Sequence, residues 1–217
     1  MAQLVFVTGG TGYIGRALLP RLLARGHTVR ALIRPGSEGK LPPGCEVVPG
    51  NALDAQSFAD KIAPSESFIQ LVGVPHPSPA KARLFREIDL VSVRESISAA
   101  SKSGVRHFVY LSVAQPAPIM REYLAVRAEG EAMIRASGIN ATFVRPFYVL
   151  GPGHWWPYLI LQVFWCAELI SAKRESARRL KPVKLAQVVT ALVRAVEQPA
   201  RDVRIVEAEA MRRVASP

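Results

Sequence analysis

Apolar positions along the chain fall into short runs separated by longer amphipathic stretches. Leu4 to Val7 is a compact apolar run of strand type, and Ile14 to Leu23 repeats apolar residues at helical spacing. Gly26 ends that helix, and a second strand is predicted over Thr28 to Ile33. Further strands are predicted at Glu46 to Val48, Phe68 to Val72, His107 to Leu111 and Ala141 to Val144. Between them the pattern gives a short helix near Ser57 to Ile62, a long one over Lys81 to Ser101, and a third from Ile119 to Arg135. Pro75, Pro77 and Pro79 forbid regular structure after the fourth strand.

Strands and helices that alternate in this way call for a parallel sheet with helices on both faces. The expected fold is therefore α/β, a Rossmann-type doubly wound parallel sheet. Beyond Pro146 the pattern loosens: Gly151 to Pro157 is rich in turn residues, and Trp155 to Ile170 is almost wholly apolar. An amphipathic helix over Pro182 to Val196 and a short strand at Val203 to Val206 follow. At 217 residues the chain suits one domain, with residues 1–152 as the core and 153–217 as a small C-terminal cap on the substrate side.

Composition adds little until charge is considered. The chain carries 28 Lys and Arg against 17 Asp and Glu, a formal net charge of +11. The basic residues are scattered, apart from Lys173, Arg174, Arg178, Arg179 and Lys181, and no aromatic residues or helix-turn-helix pattern accompany that cluster. A solvated basic face is expected, with no nucleic-acid partner. Cys45 and Cys166 match no metal or redox spacing, and no charged-then-apolar leader precedes the first strand. The expectation is a cytoplasmic protein without disulfides or a metal site.

The chemistry begins at the turn Thr8-Gly9-Gly10-Thr11-Gly12-Tyr13-Ile14-Gly15, between the first strand and the first helix. Gly9 permits a tight turn, Gly12 lets the backbone approach a pyrophosphate, and Gly15 allows close helix–strand packing. Thr11, Tyr13 and Ile14 complete the contact region. The free N–H groups and dipole of the helix N-terminus favour the anion. An NAD site places a carboxylate at the end of the second strand, to bind the ribose 2′-hydroxyl. Here that end reads Leu32-Ile33-Arg34-Pro35-Gly36-Ser37. Arg34 suits a 2′-phosphate through paired charge-assisted hydrogen bonds, with Ser37 adding another. NADP(H) is therefore expected over NAD(H).

Thr8 to Gly15 resembles the fingerprint of the extended and atypical short-chain dehydrogenases/reductases. The resemblance continues through Gly50-Asn51-Ala52-Leu53-Asp54, similar to that family's G-D-x-x-D, with Asn51 replacing the aspartate that approaches the adenine ring. Leu71-Val72-Gly73 matches the strand end that passes the cofactor riboses. Arg145-Pro146-Phe147-Tyr148-Val149-Leu150-Gly151-Pro152 is similar to R-P-x-x-V-x-G-P beside the nicotinamide. The likeness spans roughly residues 1–152 and points to the NmrA-like or epimerase-like branch. It implies Asn51, Ala52, Val72, Gly73, Pro146 and Val149 as further cofactor-binding residues.

The resemblance also implies a tyrosine general acid/base four residues before a lysine. Tyr123-Leu124-Ala125-Val126-Arg127 has that spacing, with arginine in the lysine place. An adjacent cation still favours a phenolate, but a planar guanidinium fills a ribose site differently. Ser112 stands nearest the family's serine, although many members carry the hydroxyl two positions on, where this chain has Ala114. His76 and His154 lie in loops after strand ends and are candidates for substrate contact, whereas Glu87 and Asp89 read as solvated helix residues. Trp155 to Ile170 has sixteen residues, including Glu168, and is short of the roughly 20 that span a bilayer. A buried helix over the nicotinamide pocket explains it, and an interfacial membrane anchor is the other reading. Two functions follow. One is an NADP(H)-dependent oxidoreductase or epimerase-like enzyme on a small apolar carbonyl or hydroxyl compound. The other is a cofactor-binding sensor, assembly factor or complex subunit without turnover. Oligomeric state is left open.

Overall fold

The computed structural model describes residues 2–117, 120–152 and 180–213. The strands are β1 (Leu4–Thr8), β2 (Thr28–Ile33), β3 (Glu46–Pro49), β4 (Ser67–Gln70), β5 (His107–Leu111), β6 (Asn140–Arg145), β7 (Val149–Leu150), β8 (Val183–Lys184) and β9 (Val203–Glu207). Seven of them form one parallel sheet in the order β3-β2-β1-β4-β5-β6-β9, and β7 pairs with β8 in a separate ribbon. The strand order reverses between β1 and β4, the point where doubly wound sheets bind their ligands.

The helices are α1 (Tyr13–Ala24), α2 (Ala82–Leu84), α3 (Val91–Lys102), α4 (Arg121–Ala136), α5 (Leu185–Glu197) and α6 (Ala208–Arg213). A π-helical stretch, Phe85–Leu90, joins α2 to α3. Alternation along each strand sends its side chains to two separate cores. Val5 and Val7 join Leu18, Leu19 and Leu22 of α1 and Val188, Leu192 and Val196 of α5. Phe6 faces the other way, with Phe68 and Phe108 in register on the neighbouring strands. Phe6 and Phe68 stack at 5.2 Å between ring centroids, and Phe68 and Phe108 at 5.1 Å. This aromatic row pins β1, β4 and β5 in register behind the glycine turn, where offset ring pairs add to the burial of their area.

Several elements differ from the expectation: β8 takes the start of the helix expected over 182–196, and the helix expected over 81–101 is interrupted by the π-helical stretch. The helix expected near 57–62 is a pair of single 3-10 turns, Ala55–Ser57 and Ala59–Lys61, and Asp54 caps the first by accepting from the Gln56 N–H. The tail does more than cap the fold. The strand β9 pairs with β6 in the main sheet and α5 packs on α1, so both belong to the Rossmann core. The apolar face of α5 covers one side of the sheet, and β9 extends it beside β6. The apolar run 155–170 and His154 lie outside the described residues. No helix among the described residues is long and apolar enough to cross a membrane.

Candidate cofactor cleft

The glycine turn stands at the end of β1 as expected. Gly9 has φ +76°, and a Cβ there would lie 2.8 Å from the Leu71 carbonyl carbon. The turn is closed by the Gly12 N–H donating to the Gly9 carbonyl at 3.0 Å. Gly12 is the residue before α1, with extended backbone, and the Arg16 N–H donates to its carbonyl. A Cβ on Gly15 would come within 2.5 Å of the Gly9 and Gly10 carbonyl oxygens, so only hydrogen fits between helix and turn. The cradle suits a dinucleotide pyrophosphate: a bare backbone at a helix N-terminus, beside the sheet's switch point. Thr11, Tyr13 and Ile14 are all half-buried along it, and the Tyr13 hydroxyl presses against Gly151.

Arg34 follows β2 and is exposed, with its carbonyl accepting from the half-buried Ser37. Both flank one side of the cradle. Asn51 is exposed after β3, and its Oδ1 accepts from the Leu53 N–H at 3.0 Å, so its side chain shapes its own turn. Ala52 packs half-buried against the aromatic core. On the other side of the cradle, Val72 and Gly73 follow β4 and are half-buried. Pro146 is buried after β6, its carbonyl accepting from the Ala114 N–H, and Val149 sits half-buried in β7.

Tyr123 and Arg127 lie one turn apart on α4, as their spacing requires. The Arg127 guanidinium carbon is 5.1 Å from the Tyr123 ring centroid and 5.7 Å from that of Tyr110. Tyr123 is half-buried, edge-on to Phe85, and its hydroxyl has no hydrogen-bond partner among the described residues. Arg127 is only 5% exposed and its fork is committed. Nη2 donates to Asp89 Oδ1 at 2.6 Å, and Nη1 donates to the Leu111 carbonyl at 3.0 Å and to the Tyr110 hydroxyl at 3.4 Å. Gly73 lies directly against this fork: a Cβ there would strike Nη2. Burial opposes the charge on Arg127, yet Tyr123, Tyr110 and Asp89 outweigh it and hold the guanidinium charged. Burial pushes the Tyr110 hydroxyl up to about 12, so it stays a neutral phenol.

Asp89 corrects the sequence reading most sharply. It is fully buried on the π-helical stretch, and its Oδ2 accepts from the Val74 N–H at 2.9 Å. Burial pushes its carboxyl up, against the pull of Arg127 and of the Val74 N–H. Both oxygens accept from N–H donors, so the carboxylate is the form the geometry holds. A carboxylate on a helix is ordinarily solvated, and its partner lies on a different helix. The usable signal was the face Phe85, Asp89, Ser92, Val93 and Ser96, which runs at helical spacing and is buried throughout. Glu87 is exposed and pairs with Arg83, as expected of a surface residue.

Ser112 is 3% exposed, and its hydroxyl donates to Glu131 Oε1 at 2.6 Å. Glu131 also takes the guanidinium of Arg145 and the amide of Gln115, and Arg145 reaches on to Glu207. This network ties α4 to the ends of β5, β6 and β9. His76 is exposed at φ +48°, and its carbonyl accepts from Lys81. A separate groove of about 560 Å³ runs between α1 and α5, lined by Ala17, Arg21, Val189, Val193 and others. None of Gly9, Arg34, Gly73 or Tyr123 borders it.

A family profile described as NAD(P)H-binding matches residues 9–152. The ceramide reductase of Caulobacter vibrioides is 32% identical over 155 residues, which is 69% of this chain and 47% of that protein. A 3 beta-hydroxysteroid dehydrogenase/Delta 5→4-isomerase of Mycobacterium tuberculosis is 32% identical over 114 residues, 50% of this chain and 31% of that protein. The chain thus spans about half or less of the length of these curated relatives. Among solved structures, the Bordetella bronchiseptica enzyme WbmH in complex with NAD+ superposes with a TM-score of 0.68 at 20% identity, covering 95% of this chain and 75% of that one. That likeness concerns the fold. Profile and cradle agree: the chain belongs to the NAD(P)H-binding family.

Proposed function

We propose that the protein is an NADP(H)-dependent oxidoreductase acting on a carbonyl or hydroxyl group of an apolar small molecule. The observation that carries this reading is Tyr123: a half-buried phenol stacked on the charged guanidinium that lies against Gly73, with its hydroxyl left to a ligand. When bound, the cofactor supplies or accepts the hydride. The turn Gly9–Gly15 holds its pyrophosphate, Arg34 and Ser37 hold the 2′-phosphate, and Asn51 and Ala52 border the adenine. Val72, Gly73, Pro146 and Val149 line the nicotinamide half. Tyr123 gives its phenolic proton to the substrate oxygen in reduction and takes it back in oxidation. Arg127 acts on the phenol electrostatically through its stacked guanidinium, since its hydrogen bonds go to protein partners. Ser112 supports α4 through Glu131 rather than meeting substrate. Relatives named for ceramide and hydroxysteroids support an apolar substrate.

The commitment of Ser112 and Arg127 to protein partners favours a second reading, cofactor binding without turnover. Purified protein given NADPH and a panel of apolar ketones separates the two. Substrate-dependent NADPH oxidation supports the enzyme; tight NADPH binding with no oxidation across the panel supports the second reading.

A further inference from the structure

Asp89 has no place in the proton transfer described above, yet with its partner Arg127 it lies against Gly73. The pair is closed to solvent, with side-chain exposures of 0% for Asp89 and 6% for Arg127. The cleft has two ends. Arg34, after β2, takes the adenosine half, so the nicotinamide half extends the other way from the cradle, over the residues that follow β4. Those residues are Leu71 to Val74. Asp89 binds the last of them through the Val74 N–H at 2.9 Å, and a Cβ on Gly73 would stand 3.2 Å from Asp89 Oδ1. The floor at that end is therefore a guanidinium and a carboxylate of opposite charge in direct contact.

We propose that Asp89 is a positioning residue which cancels the Arg127 charge beneath the nicotinamide end of the cleft, and thereby sets the relative affinity for oxidised and reduced cofactor. The inference rests on the proposed direction of the cofactor along the cleft. Oxidised nicotinamide carries a positive ring and reduced nicotinamide a neutral one. An uncompensated guanidinium beneath the ring repels only the oxidised form. In a medium this poorly screened, one unit charge at contact range changes such a ratio by an order of magnitude. Arginine cannot relieve the repulsion by losing its proton. Asp89 removes the repulsion and, through Val74, holds the backbone that passes the riboses.

The test is the ratio of dissociation constants for NADP+ and NADPH, and in parallel for NAD+ and NADH, measured by calorimetry on folded protein. Asp89→Asn keeps the shape and leaves the cation, so the ratio rises roughly tenfold. Asp89→Asn combined with Arg127→Met removes both charges, and the ratio returns to within about twofold of the parent. A purely structural role predicts weaker binding of both forms alike, greater still in the double variant, with the ratio unchanged throughout. If Asp89→Asn does not fold, Asp89→Ser leaves the same cation with room for a solvating water and reads the same sign. A ratio unchanged in the single variant, or one not restored in the double, overturns the proposal. Failure of the parent to bind either cofactor pair would instead overturn the cofactor reading itself.

Discussion

Gly15 sits so close to Gly9 that a Cβ on the first would lie 2.5 Å from the carbonyl oxygen of the second. The start of α1 is thereby seated on the turn that cradles the pyrophosphate. Gly15→Ala must push helix and turn apart, an overpacking that costs about 1–3 kcal/mol. The expected outcome is a lower melting temperature and an NADPH dissociation constant raised at least about tenfold. Unchanged binding in that variant would mean that the cofactor does not rest on this turn.

Arg34 carries the proposed choice of dinucleotide. Hydrogen bonds to charged groups contribute about 1.5–3 kcal/mol each, so Arg34→Ala weakens NADPH by about 10- to 100-fold and leaves NADH within about twofold. Fluorescence titration with both cofactors checks this. Equal losses for the two would remove Arg34 from the 2′-phosphate.

Ser112 gives a different signature. Its hydroxyl donates to the buried Glu131 at 2.6 Å, while Glu131 keeps Arg145 and Gln115. Ser112→Ala is expected to cost about 1–2 kcal/mol in denaturant unfolding, with turnover within a few-fold of the parent. A hundredfold loss of turnover at unchanged stability would return Ser112 to the substrate.

His107 makes stability depend on pH. Burial first, and then the charge of Arg204, depress its pKa to about 4 from an ordinary 6.5, and Nε2 lies 3.0 Å from Thr142 Oγ1. The unfolded chain protonates this histidine as pH falls below 6.5, whereas the folded chain resists until about 4. The unfolded state thus binds the extra proton inside that window. Stability is full above pH 6.5 and falls towards pH 4, by about 3 kcal/mol from this residue. Denaturant melts across the window test it, and His107→Gln should flatten the acid limb. An unchanged acid limb would show that His107 titrates normally.

The alternation of apolar runs and amphipathic stretches made the parallel sheet readable, because its central strands β1, β4 and β5 are short, largely buried apolar runs with helix before the next strand. Gly9, Gly12 and Gly15 were readable because each answers a local backbone constraint. The π-helical stretch was not, and the ion pair of Asp89 was not either, since its partner Arg127 arrives from another helix; only the helical spacing of its buried face was legible. The same holds for Ser112, whose partner Glu131 is set by how α4 crosses the strand ends. Residues 203–207 carried a strand pattern, but nothing local in them says that they complete the sheet beside β6.

The central claim is that Tyr123 moves a proton while hydride is exchanged with NADPH. Tyr123→Phe removes only the hydroxyl, keeps the ring over Arg127 and against Phe85, and tests the claim most directly. The quantity to measure is single-turnover NADPH oxidation with a ketone that the parent reduces, together with the NADPH dissociation constant. The account predicts a rate lower by about 10²- to 10⁴-fold with cofactor affinity unchanged. A rate equal to that of the parent would contradict it.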